Sequence, residues 1–208
     1  MITVHHLNNS RSQRILWLLE ELRLDYEIKR YQRDPQTNLA PEELKTIHPL
    51  GKSPVITDGN LTIAESGAIV DYLIRKYGKG GLMPDEASPD YVTYLHWMHY
   101  AEGSAMLPVM LSMYLMRLGD AGKPLHPRLE SEVANHFGYL EGAIGTRDFF
   151  VGSGLTGADV QITFVLEAAK SLGLLAPYPK LNAYLKRVQA RDAYKRGIER
   201  GGQYDLGR

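Results

Sequence analysis

Glu65 and Ser66 open a segment in which apolar Ala68, Ile69, Tyr72 and Leu73 recur at helical spacing. A helix start carries free backbone N–H groups and partial positive charge, which suit a carboxylate, and Glu65 itself complements an ammonium. Upstream, Pro54 precedes the apolar pair Val55-Ile56; the turn residues Asp58-Gly59-Asn60 and the alternating Leu61-Thr62-Ile63 then complete a hairpin. Proline has no N–H for a sheet ladder, so Pro54 marks a strand start, an edge or a cis bend. The strand opening at Val55 offers N–H and C=O to an extended, peptide-like ligand. Two backbone features able to hold a ligand thus meet at one end of a small sheet. Plainer roles exist for each residue: Ser66 is also a suitable helix cap, and Pro54 also a suitable loop end.

Other residue groups carry weaker chemistry. His96, His99 and Glu102 follow one another at three-residue steps. Such a set can bind zinc, but the His-Glu-x-x-His form of a zinc hydrolase is missing, and no metal is expected. Five of the seven methionines lie between Met98 and Met116, with Met106, Met110 and Met113 on one stripe. Core packing explains such a stripe; polarizable methionines also suit an adaptable apolar pocket, to which Tyr114 would give a polar edge. Cysteine is absent. That excludes disulfides, thiolate metal sites and covalent chemistry by a protein thiol, so any sulfur chemistry must come with the ligand.

These residues need a frame. Ile2–Leu7 reads as a strand and Asn8-Asn9-Ser10 as a turn; Ile15, Leu16, Leu18, Leu19 and Leu22 then form a helical stripe, with Ser10 or Ser12 placed to cap it. Tyr26–Tyr31 alternates as a half-buried strand. Pro41–Ile47 begins Pro-Glu-Glu, a favourable first helical turn. With the hairpin and the helix after it, the order is β-α-β-α-β-β-α. The run Gly78-Lys79-Gly80-Gly81 and Pro84 closes this part. Beyond it all is helical in pattern: Asp90 to about Leu118, Arg128 to about Ile144, Thr156–Leu172, Tyr178–Ala190, and a short helix from Asp192 to Ile198. Thr156-Gly157-Ala158-Asp159 has the form of a capping box. Gln203–Arg208 reads as a fraying end. The fold expected is α/β plus all-α, with residues 1–80 as one domain and 88–208 as a helical bundle. Lysine plus arginine equals aspartate plus glutamate at 24 each in 208 residues, so no overall basic field invites nucleic acid or a membrane surface. No apolar run reaches the length of a membrane span, and the start lacks a secretory signal, so a soluble intracellular protein is expected.

Proline before the first hairpin strand, Glu-Ser at the following helix start, and the capping box at a later buried helix together resemble the cytosolic glutathione transferases. The resemblance covers both domains and implies a thioredoxin-like first domain followed by a helical bundle that forms the electrophile pocket. In that family the proline is cis, the next residue pairs by backbone with the cysteinyl unit of glutathione, and the Glu-Ser pair holds the γ-glutamyl end. Those roles fall on Pro54, Val55, Glu65 and Ser66. Lys52 is placed to meet the glycine carboxylate, with Ser53 beside it. Where the family often has Asn before the Pro-Leu-Gly step, this chain has His48.

The serine-type members hold their activating hydroxyl in the first strand-to-helix loop, and Asn9-Ser10-Arg11-Ser12-Gln13-Arg14 resembles that segment. Ser10 is thereby the catalytic candidate and Ser12 its rival. Bringing a thiol from pKa ~8.5 to ~6.5 requires about 2.7 kcal/mol in favour of the thiolate. One hydroxyl donating to the sulfur gives ~1.5–3 kcal/mol and a helix dipole ~0.3–1. The implied activity is conjugation of glutathione, a co-substrate rather than a cofactor, to a small apolar electrophile met by Met106, Met110, Met113 and Tyr114. Glutathione-dependent disulfide or peroxide reduction is the alternative chemistry, and a non-catalytic binding role the alternative class. The resemblance further implies a cytoplasmic detoxification enzyme that forms a homodimer.

Overall fold

The computed structural model describes residues 1–207. In chain order the elements are β1 (Ile2–Leu7), α1 (Ser12–Glu21), β2 (Tyr26–Tyr31), β3 (Val55–Asp58), β4 (Leu61–Ala64), α2 (Ser66–Tyr77), α3 (Asp90–Tyr100), α4 (Met106–Leu118), α5 (His126–Ile144), α6 (Gly157–Ser171), α7 (Pro179–Gln189) and α8 (Asp192–Gly201). They form two compact units, one of residues 1–82 with 189–205 and one of residues 83–188 with 206 and 207.

In the first unit the four strands lie in the order β2-β1-β3-β4, with β1 parallel to β2 and antiparallel to β3, and β3 antiparallel to β4. The register sets His5 opposite both Lys29 and Val55, and Val55 opposite Ala64. This is the thioredoxin-like arrangement the element order leads to. One element differs from expectation: the segment after Pro41 is a single 3-10 turn, Glu42–Thr46, rather than an α-helix. It buries only Leu44, against Leu7 and Tyr31, and one buried residue does not repay a longer helix.

The packing differs from the linear division at residues 80 and 88 in one respect, since α8 lies with the first unit. Its apolar face, Ala193, Tyr194, Gly197 and Gly201, packs on α1, whose residues Ser12–Leu19 are all buried. Gly197 makes the crossing possible, since a β-carbon there would stand 3.0 Å from the Trp17 backbone. Charge fastens the pair: Arg196 donates to Glu20 at 2.8 Å and Arg191 to Glu21 at 2.6 Å. Nor does the chain fray at once after α8. Tyr204 is buried and Asp205 is hydrogen-bonded to Asn9; Arg208 lies outside the described residues.

The second unit is helical. α3 and α4 form one run joined by a π-helical turn, Ala101–Ala105. Pro108 accounts for it: a proline gives no N–H to the carbonyl four residues back and its ring crowds that carbonyl, and a wider turn relieves both. The capping box at the head of α6 forms, with the Thr156 N–H donating to the Asp159 carboxylate at 2.9 Å. The same carboxylate accepts from the Phe150 N–H and the Tyr184 hydroxyl, each at 3.0 Å. One buried acid therefore joins α6, α7 and the loop before them.

Candidate functional site

The loop between β1 and α1 brings three serines together. The Ser10 and Ser12 hydroxyls share a hydrogen bond of 2.8 Å, and Ser10 reaches the Ser53 hydroxyl at 3.5 Å. Ser53 donates to the His5 carbonyl at 2.8 Å, which ties the loop before β3 to β1. Ser10 is half-buried and Ser12 fully buried. Ser10 Oγ also accepts from the N–H of Ser12, the first residue of α1, at 3.2 Å, whereas Arg11 between them makes no side-chain cap.

The two hydroxyls differ in burial and in partners, and Ser12 is the enclosed one. Its Oγ lies 2.8 Å from His6 Nδ1, donates to the Leu7 carbonyl at 3.2 Å and accepts from the Leu7 N–H at 3.3 Å. A hydroxyl has one proton and two lone pairs, so Ser12 is fully engaged inside the fold. His6 is buried, and burial first, then the charge of Arg30, pushes its pKa down to about 4. It is a neutral ring near pH 7 and a hydrogen-bond partner, not a cation. Of the two hydroxyl-bearing residues, Ser10 is the one with surface open to solvent.

Across the end of the sheet, the Ser53–Pro54 peptide is cis. Pro54 and Val55 are buried. β3 is an internal strand, so it has no free edge along Ile56–Asp58, and what it can offer a peptide-like ligand is confined to its opening residues. Ser66 begins α2 and is buried; its Oγ accepts from Arg14 at 3.5 Å and makes no capping bond. Glu65 is exposed, with φ 68° and ψ 118°, a conformation that an ordinary side chain adopts at a cost of ~1–3 kcal/mol and that recurs at ligand clamps. Helix start, hydroxyl and buried guanidinium together favour a carboxylate beside Ser66, and Glu65 stands at the edge of that position for an amine.

Arg14 escapes sequence reading because a charge on an otherwise apolar stripe reads as the solvent face. It is buried instead, with α2 on its flank. Lys52 is exposed, and His48 is spent on its own turn, accepting from the Leu50 N–H at 3.4 Å.

The remaining predicted residues lie in the helical unit. Met106 is buried in its core, Met110 and Met113 are half-buried, and Tyr114 is exposed. A cavity of about 630 Å³ in this unit is lined by other side chains, among them Leu115, Met116, Val133, Leu174 and Tyr178. His96 stacks on Tyr100 with ring centroids 5.5 Å apart and bonds the Tyr139 hydroxyl at 3.1 Å. It does not converge with His99 and Glu102, and among the described residues no group of three or more His, Cys, Asp or Glu could hold a metal.

Comparisons with known proteins give the family. Residues 1–75 match the family model "Glutathione S-transferase, N-terminal domain" and residues 97–192 match "Glutathione S-transferase, C-terminal domain". Glutathione S-transferase 3 of Schizosaccharomyces pombe is 34% identical, over 96% of this chain and 88% of that protein. Glutathione S-transferase 1 of Saccharomyces cerevisiae is 33% identical, over 96% and 95%. A crystal structure of a glutathione S-transferase from Actinobacillus pleuropneumoniae superposes with a TM-score of 0.90 at 37% identity, covering 100% of this chain and 96% of that one. A glutathione transferase family member from Pseudomonas fluorescens, solved with two glutathione bound, gives 0.80 at 25%, over 94% and 91%. Matched in both units and along nearly the whole length of its relatives, the chain belongs to the glutathione S-transferase family.

Proposed function

We propose that this protein is an enzyme that conjugates the thiolate of glutathione to small apolar electrophiles. The observation that carries the reading is the Ser10 hydroxyl: half-exposed, held by Ser12, and next to the cis Ser53–Pro54 peptide. Glutathione lies with its γ-glutamyl carboxylate on the α2 start at Ser66 and Arg14, its amine at Glu65, its cysteinyl unit along Pro54-Val55 and its glycyl end toward Lys52 and Ser53. Ser10 donates to the sulfur, lowers its pKa and leaves it nucleophilic near pH 7. The thiolate attacks the electrophilic carbon, the new C–S bond forms, and the leaving group departs with its electron pair. The enzyme contributes position and charge stabilisation. The electrophile meets Met110, Met113 and Tyr114; Met106 is too deeply buried to take part.

The setting we infer is the cytoplasm, where a thiol co-substrate stays reduced, and the role is detoxification. Exposed Val92, Leu107 and Leu111 along the α3–α4 run support a homodimer, which sedimentation at micromolar concentration tests. The function itself is tested by conjugation of glutathione to a chlorodinitrobenzene. Turnover in wild type supports it and its absence rejects it; Ser10→Ala beside wild type tests the part given to Ser10, which equal rates in the two would reject. A second reading, reduction of a disulfide by two glutathiones, draws on the Pseudomonas relative that holds two. Turnover of a mixed disulfide of glutathione, without conjugation, would favour it.

A further inference from the structure

Ser10 follows a residue in the left-handed region, Asn9 with φ 49°, and the backbone around it is pinned by parts of the chain remote in sequence. Arg33 donates to the Asn8 carbonyl at 3.0 Å and to the Asn9 carbonyl at 3.2 Å. The Asn9 side chain is held from the other side by Asp205: its amide donates to the Asp205 carboxylate at 3.0 Å, and its carbonyl oxygen accepts from the Asp205 N–H at 2.8 Å. Gln203 donates to the same carboxylate at 3.1 Å. Two hydrogen bonds running in opposite directions fix both position and rotation of one amide group, which a single bond does not.

We propose that Asp205, acting through Asn9, is a positioning residue for Ser10: the segment after α8 sets the direction from which the catalytic hydroxyl meets sulfur. The proposal rests on the reading that Ser10 activates glutathione. Asparagine tolerates the left-handed conformation because its side chain can bond locally, but tolerance does not select one geometry. A hydrogen bond to sulfur is directional and weakens steeply with misalignment. A loop free to rotate about Asn9 would spread the hydroxyl over many directions and stabilise the thiolate less, while the groups that bind the rest of glutathione stay in place.

The test compares the ultraviolet titration of bound thiolate, with kcat and KM for glutathione, in wild type, Asp205→Ala, Asp205→Asn, Asn9→Asp and the double variant Asn9→Asp/Asp205→Asn. Asp205→Ala should raise the bound thiol's pKa by about half to one unit and lower kcat near neutral pH about three- to tenfold, with KM changed less than about twofold. Asp205→Asn should titrate as wild type, because its side-chain oxygen still accepts from the Asn9 amide. Asn9→Asp sets two carboxylates against each other and should shift the pKa as Asp205→Ala does; the double variant, with donor and acceptor exchanged, should recover most of the loss. A wild-type titration in both Asp205→Ala and Asn9→Asp overturns the proposal. So does a loss in Asp205→Asn equal to that in Asp205→Ala, since the role would then be one of charge. Ser10→Ala in the same titration separates the two layers. If it shifts while the Asp205 variants do not, only the positioning role falls; if it does not shift, the reading beneath falls and takes the positioning role with it.

Discussion

The hydroxyl of Ser10 rests 2.8 Å from the hydroxyl of Ser12, so the two serines of the first loop are a pair and not competitors. One is half-buried, and the other is enclosed and hydrogen-bonded within the fold. Substitutions at the two positions should therefore fail in different ways.

Ser10→Ala removes the hydroxyl proposed to meet the sulfur. The bound thiol's pKa should rise by about one to two units, equal to ~1.4–2.7 kcal/mol, with glutathione affinity largely intact. Conjugation near neutral pH should fall about tenfold and recover in part as pH rises. Thiolate absorbance against pH at saturating glutathione measures this; an unshifted curve leaves activation to backbone N–H groups and the helix dipole.

Ser12→Ala takes a hydrogen-bond partner from His6 Nδ1 and from the Leu7 N–H, so the chief loss should be stability, by ~1–3 kcal/mol. Urea unfolding of the free protein measures it. A variant as stable as wild type would show that water or a shifted Ser10 replaces the hydroxyl. Because Ser10 loses its neighbour as well, this variant is not a neutral control for Ser10→Ala.

Glu65→Ala combined with Ser66→Ala should weaken glutathione binding strongly, on the order of tenfold to a hundredfold, since one charge-assisted contact and one hydroxyl contact are lost. Calorimetry checks it, and unchanged affinity would reject the placement of the γ-glutamyl end. The paired change also relieves no positive φ, because alanine at position 65 must still adopt the 68° of the native backbone.

At the far end of β3, Asp58 accepts from Tyr77, from Lys76 at 2.9 Å and from Tyr72 at 2.7 Å. The Tyr77 and Lys76 bonds hold its pKa down, from the usual 3.8 to about 2. A depressed carboxylate stabilises the fold above its unfolded pKa, and that contribution is lost as pH falls through the folded one. Asp58→Asn should lower the melting temperature near pH 7, and the gap from wild type should close between about pH 4 and pH 2. A gap that does not change over this window would show that the tyrosines, not the charge, hold the hairpin to α2.

Local pattern is enough for the strands, the hairpin, the helices beyond Asp90 and the capping box, because each is written in adjacent residues: Thr156 and Asp159 stand three apart and meet. The 3-10 turn after Pro41 was misread as a helix since its favourable opening residues say nothing of how few apolar side chains follow. Of the candidate site, sequence reading reaches the local features, the proline at the opening of β3 and the helix start at Ser66. The site was illegible where it depends on contacts across the chain. Arg14 sits on a helix stripe and looks solvent-facing until α2 lies beside it, and the enclosure of Ser12 needs the burial of His6 behind the loop. The link from Asn9 to Asp205 spans nearly the whole sequence, and nothing in the composition of either segment announces it.

The placement of α8 in the first unit has a bearing on how the protein is made. Translation delivers β1 through α2 early, yet the helix that covers Trp17 emerges only after residues 83–188 have been synthesised. Until then the apolar face of α1 toward α8 lies open on the nascent chain. The usual gain of sequential synthesis, a first domain finished before the second begins, is thus denied to this unit. Its closure is a long-range event, slow by the entropy of joining distant segments, and during that interval the open face is where a chaperone or a second nascent chain would bind.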